Sequence, residues 1–264
     1  MLHRMISLSF LFLSTLAILL TPAPLAAQGR SGAPEAESST GDWYFREEVR
    51  WERYVLFLRT ASEVRQVNEL WIGDDRAAYL EPGQRVVLDH SRNTFTYLNT
   101  RERTYVELQL PLDESRLFSP EMEHKRRALL YGATVDATGR KDAIAGFECD
   151  EYEVTVWEER DGARDSYRSI HVWATTEHPA DHALAEQLFD LFRRLQPRTG
   201  GAVDELRKIH GIQLRIDYEG PGNFVVRERL LAEDVEIARR TPAAGVYDVP
   251  PGYTRKPWLT PEDL

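Results

Sequence analysis

Turn-forming residues cut the first half of this chain into short segments. Between Glu63 and Pro111 the breaks fall at Gly73-Asp74-Asp75, Pro82-Gly83, His90-Ser91-Arg92-Asn93 and Asn99-Thr100-Arg101. A break about every ten residues is the spacing of an antiparallel meander. Upstream, "DWYFREEVRWERYVLFLRT" holds no Gly or Pro, and Val49, Trp51, Val55 and Phe57 sit at period-two spacing. That stretch reads as one long strand. Further on, "FECDEYEVTVWEE" turns at Asp161-Gly162 and returns through "SYRSIHVWATT" as a hairpin. "IQLRIDYEG" and "NFVVRERLLAEDVEIARR" are two more strands around a turn at Gly220-Pro221-Gly222.

Two segments break the β pattern. "SPEMEHKRRALLYG" begins with Ser119 as N-cap and Pro120 at the first helical position. Its acidic residues precede its basic ones, which suits the helix dipole. From about Pro179 to Gln196 the periodicity changes to helical. Leu184, Leu188, Leu191 and Leu195 form one apolar stripe, widened by Phe189 and Phe192, and Pro197 stops the helix. Many strands and one strongly amphipathic helix require a sheet whose apolar face receives that helix. The expected class is mainly β with α.

The N-terminus has the layout of a secretory signal peptide. His3 and Arg4 precede an apolar run from Met5 to Leu20, and small residues follow to Ala27. The run is short of the ~20 residues of a membrane span, so an uncleaved anchor is the weaker alternative. Residues 28–41 are polar and small, with no aromatic residue, and read as a disordered leader. One domain is expected over 42–255, with a polar tail over 256–264. Loss of Arg4 with the signal takes the net charge from −10 to −11. Such an acidic chain is a poor partner for nucleic acid, which needs clustered Lys and Arg. The expected product is periplasmic or secreted and monomeric, with no integral membrane domain after cleavage.

The single cysteine, Cys149, cannot close an internal disulfide. Glu148, Asp150 and Glu151 flank it and would disfavour a thiolate, so it reads as a small apolar side chain on a strand. His178 and His182 have the i, i+4 spacing of two metal ligands, but Pro179 stands where a zinc peptidase helix has glutamate. A solvated helix start is the plainer reading. Asp89, His90 and Ser91 are consecutive, and neighbours on a strand point to opposite faces, so they form no catalytic relay among themselves. The sequence carries no nucleophile elbow, phosphate loop or dinucleotide fingerprint. No cofactor, no metal and no enzyme activity are expected, and a metal-dependent hydrolase is the minor alternative.

Ile144, Gly146, Phe147, Cys149 and Tyr152, followed by Val172, Trp173 and Thr175, make a pattern with an equivalent elsewhere. With the closing "YDVPPGY" and the upstream "LDHSRNTFTYLNTRERTYVEL", it resembles a family of exported bacterial domains of unknown function, numbered 4412. The resemblance spans about Trp43 to Tyr253. It implies a LolA-like fold, similar to outer-membrane lipoprotein carriers: a curved antiparallel half-barrel enclosing one or two helices. It also implies a hydrophobic ligand such as a lipid, an acyl chain or a lipoprotein. A cell-envelope interaction or sensor module with no lipid cargo is the alternative. The candidate cavity residues are Trp51, Trp71, Phe95, Tyr97, Trp157, Trp173, Leu184, Leu188 and Leu191, weighed against ordinary cross-strand packing.

Overall fold

The computed structural model describes residues 41–264 apart from 57, 128–129, 161–162, 196–201, 220–225, 261–262 and 264. Among the described residues twelve strands form a single open, curved sheet. They are β1 (Asp42–Val55), β2 (Leu58–Ile72), β3 (Arg76–Glu81), β4 (Gln84–Asp89), β5 (Thr94–Asn99) and β6 (Thr104–Gln109). After them come β7 (Leu130–Ile144), β8 (Phe147–Arg160), β9 (Ala163–Thr175), β10 (Ile212–Glu219), β11 (Val226–Arg240) and β12 (Thr254–Arg255). The spatial order is β12-β6-β5-β4-β3-β2-β1-β11-β10-β9-β8-β7, antiparallel throughout except for the β12–β6 edge. The helices are α1 (Pro120–Arg127), α2 (His182–Leu195) and α3 (Val203–Leu206). No described helix is long and apolar enough to cross a membrane.

The sheet's curvature follows from what α2 touches. The helix packs on β3, β4 and β10. In the sheet β4 and β10 lie five places apart. On a flat sheet that is roughly 24 Å at ~4.8 Å per strand, twice the ~10–12 Å diameter of a helix. The strands must therefore wrap around α2. Its stripe belongs to one apolar cluster with inward residues of most strands, among them Phe45, Leu70, Tyr79, Leu88, Phe95, Val154, Val172, Ile212 and Leu214. A smaller apolar layer lies on the opposite face. There Tyr44, Trp71, Ala78, Val87 and Leu98 are covered by Val246 and Tyr247 of the chain after β11. Tyr247 Oη donates to Asp42 at 2.6 Å, and Arg85 donates to the Gly245 carbonyl, which fixes that segment.

The meander between Glu63 and Pro111 forms as its turn residues require. The family-like stretch around Gly146 is the β7–β8 turn. Ala145 and Gly146 both have positive φ, at +49° and +89°, and Ile144 pairs with Phe147 across it. A two-residue turn of this kind demands positive φ twice, and glycine meets it without strain. Ser119 caps α1 as expected, its Oγ accepting from the Met122 N–H at 3.3 Å.

Several elements differ from the expectation. The single long strand at the start is two strands, because the chain reverses at Leu56 with φ +49°. No Gly or Pro marks this hairpin, since Leu56 itself adopts the left-handed geometry. β7 gave no clear sequence signal: Gly132 and Gly139 interrupt it, and its pairing with β8 shifts register after Ala137. Helix α2 starts at His182, later than Pro179, because Asp181 is its cap; the carboxylate accepts from the Leu184 N–H at 3.0 Å. The short α3 follows it. The residues set apart as a tail belong to the packed body. Leu259 is fully buried and bridges to Phe118, and Asp263 binds Lys256 at 2.8 Å. The expected signal peptide and most of the leader, residues 1–40, lie outside the described residues.

Leu188 is 0% exposed at the centre of the stripe, and Leu58 is 72% exposed at the tip of the β1–β2 hairpin. Leu188→Ala should cost about 2–5 kcal/mol of stability. Leu58→Ala should stay within about 0.5 kcal/mol of the parent. Urea unfolding of the two variants checks the pair.

Candidate functional site

The seat of α2 is not uniformly apolar. Strand alternation puts Glu47 on the same face as Phe45 and Val49, Glu81 with Ala77 and Tyr79, and Asp234 with Leu230 and Ala232. Glu47 and Asp234 stand opposite each other where the β1–β11 register shifts. The shift leaves Val235 without a partner on β1 and 43% exposed, while Asp234 is buried and Glu47 half-buried. Asn68 donates to Glu47 Oε2 at 2.5 Å, and the Tyr79 hydroxyl approaches the same oxygen at 3.4 Å. Gln66 donates to Asn68 Oδ1 at 2.6 Å and reaches Glu81 Oε2 at 3.4 Å.

Among the described residues no cation lies within ion-pairing distance of the three carboxyls, and Arg101 acts on Glu81 only from farther away. Among the same residues Asp234 has no side-chain hydrogen bond. Burial pushes Glu81 up to about 8, with the neighbouring Glu47 adding to it. Burial likewise raises Glu47, and burial together with Glu47 raises Asp234. All three are favoured in the neutral form. Glu151, on the other side of the sheet, shows the contrast. It is as deeply buried, yet Thr138, Arg140 and His171 bind it at 2.6, 2.5 and 3.1 Å.

Two spaces adjoin this cluster. A void of about 20 Å³ is lined by Glu47, Asp234, Gln213, Tyr79, Phe189 and Ile216, among others. A cleft of about 330 Å³ lies beside it between α2 and the 207–213 segment. Phe189 and Gln213 line both and form the partition. The cleft is polar. Arg193 is 6% exposed, and burial pulls its guanidinium down to about 10 despite Asp190 and Glu186 nearby. Glu186 accepts from the Gly211 N–H at 2.6 Å, and Arg207 binds Asp190 at 2.9 Å.

The residues expected to line a cavity fall elsewhere in the fold. Phe95, Tyr97, Leu184, Leu188 and Leu191 are buried in the inner core with full neighbours. Trp71 is on the opposite face, its indole donating to Glu69 at 3.1 Å. Trp51 is half-buried with the Arg65 guanidinium 4.5 Å over its ring. Trp173 lies between Arg215 at 5.4 Å and the His171 ring at 6.0 Å. Trp157 covers Gly132, where a Cβ would come within 2.0 Å of its ring. None of the nine lines the void or the cleft. Aromatic content drew attention away from the signal that mattered, an acidic residue in the inward phase of three strands.

The other motifs have structural partners. Cys149 is fully buried, and burial holds its thiol up at about 11, so it carries no thiolate. The His178 ring packs against Trp43, Phe147 and Phe45 at 4.5, 4.6 and 4.9 Å. Its Nδ1 accepts from the Ala180 N–H at 3.1 Å, and His182 donates to its carbonyl. Asp89 accepts from Ser91 and from the Arg92 N–H, closing a turn, while His90 turns away to Gln187 at 2.8 Å. Among the described residues no group of three His, Cys, Asp or Glu is placed to hold a metal ion.

No family model matches the chain, and no curated protein matches it. Solved structures that match include one of PNGF-II, at 9% identity and a TM-score of 0.36. The match covers 80% of this chain and 31% of that one, so this chain spans less than a third of its length.

Opposite pH dependences follow from the buried groups. Glu81 titrates higher in the folded state than in the unfolded chain, where it sits near 4.5. Its contribution is complete below 4.5 and declines as pH rises toward 8. His178 is pulled by burial from 6.5 to about 4, so its contribution is complete above 6.5 and declines as pH falls toward 4. Thermal unfolding across pH 4–9 should show a plateau over pH 4.5–6.5, where the two slopes oppose each other, with stability falling below it through His178 and above it through Glu81. Glu81→Gln should recover about 1–3 kcal/mol of the alkaline loss.

Proposed function

We propose that this is an exported, non-enzymatic binding protein whose concave face takes a hydrophobic ligand, with α2 as an exchangeable plug. The ligand class is a lipid, an acyl chain or a lipoprotein. The observation that carries the reading is the seat of α2, where three carboxyls without counter-ions lie beneath an amphipathic helix. A core meant to stay closed gains nothing from such groups, because a carboxyl buried away from any paired cation costs free energy that an apolar side chain would not. Violations of this kind cluster where a protein binds or reacts.

The magnitudes are compatible with exchange. About six large apolar side chains of α2 leave the sheet when it swings out, at roughly 1.5–3 kcal/mol each. An acyl chain of ~16 methylenes returns about 0.8 kcal/mol per methylene before association costs. One or two chains therefore offset the loss. The volume of the void and cleft is too small for a lipid with α2 seated, so binding requires the helix to move.

A second reading, a protein-docking module of the cell envelope, is favoured by the β1–β2 hairpin. Leu56, Leu58, Val64 and Val67 are exposed there, and residues 58–67 of β2 pair with β1 alone. An open strand edge beside exposed apolar side chains suits an extended partner segment.

A fluorescent acyl probe combined with amide hydrogen exchange separates the two. The plug reading expects saturable uptake near one probe per chain, with faster exchange in 182–195 on binding. No uptake, or uptake with α2 amides as protected as before, contradicts it.

A further inference from the structure

We propose that the void under Phe189 seats a primary ammonium group, so that the ligand of the concave face is an amphipathic amine. The –NH3+ head would lie against Asp234, Glu47 and Gln213, and its apolar remainder would run along the seat of α2. This rests on the ligand-binding reading above and adds the chemistry of the head group.

The lining selects for a donor. Its other members are apolar or already committed: the Tyr79 hydroxyl is directed at Glu47. Three oxygen-bearing groups remain. Asp234 is 7% exposed and has no hydrogen-bond or ion-pair partner among the described residues. Gln213 Oε1 is buried and also unpartnered. Glu47 offers a carboxyl oxygen, its side chain held in place by Asn68. An ammonium carries three donors and no acceptor, which matches three acceptors from β10, β11 and β1.

Size narrows the choice. At about 20 Å³ the void holds one water-sized group. A primary ammonium brings N–H donors to these acceptors, whereas a trimethylammonium has none to offer. A metal ion lacks its ligand set, since no three ligating side chains converge among the described residues. Charge agrees with the choice. Among the described residues no cation pairs with Glu47, Glu81 or Asp234, so an entering ammonium would draw Glu47 and Asp234 toward the ionised form and supply their counter-charge. Arg193 and Arg207 stand at the cleft and not in the void, so a head group with an attached anion would be oriented amine-inward.

The experiment compares dodecylammonium, dodecyltrimethylammonium and dodecanol, which share one tail, by calorimetric titration below their micellar concentrations. Parent protein, Asp234→Asn and Gln213→Leu are each titrated. The parent should bind dodecylammonium at least tenfold more tightly than the other two. Both variants should lose that preference while keeping their affinity for dodecanol, which also shows that they are folded. Equal affinities for all three ligands would overturn the ammonium seat, leave a water as its occupant, and let the apolar reading stand. Binding of none would instead defeat the ligand-binding reading. Where the preference is found, competition by ethanolamine-lipid vesicles but not choline-lipid vesicles assigns the head to a lipid. Competition by neither assigns it to a free amine.

Discussion

A sheet of twelve strands that curls has an inside, and in this chain one helix fills it. The stripe of α2 meets strands that would stand far apart on a flat sheet, so the helix and the curvature require each other. Neither half is stable alone. Without the helix, the inward residues of β3, β4 and β10 would face water. Without the curvature, only one strand or two could reach the stripe. The outer layer, formed by Val246 and Tyr247, and the packed chain end at Leu259 and Asp263 close the remaining apolar surface.

The same seat holds the structure's least comfortable groups. Glu151 and Asp263 show that this fold can neutralise a buried carboxylate when the charge is wanted for stability; each has a cation within hydrogen-bonding distance. Glu47, Glu81 and Asp234 have none among the described residues. The bulge that places Glu47 opposite Asp234 concentrates two of them at one point beneath Phe189. The contrast between neutralised and unneutralised carboxyls, within one sheet, is the observation on which the proposed binding role rests.

Much of this architecture was legible in the sequence. The short meander follows from its Gly, Pro and Asn breaks, and α2 follows from the spacing of Leu184, Leu188, Leu191 and Leu195. Three things were not legible. The β1–β2 hairpin turns at Leu56, a residue with no turn preference. β7 has too little alternation to stand out. The burial of the chain end depends on contacts with Tyr97 and Phe118 that lie more than a hundred residues away. For the site, aromatic content pointed to positions where rings simply pack. The informative residues were acidic ones in an inward register, and register became known only once the strand pairs did.

Native mass spectrometry of the protein, made from its full sequence in a bacterial host and purified without detergent, tests the central claim most directly. The account predicts a non-covalent species of lipid mass that is lost on denaturation and recovered by organic extraction. A clean apo mass that persists after incubation with total lipid extract would contradict it.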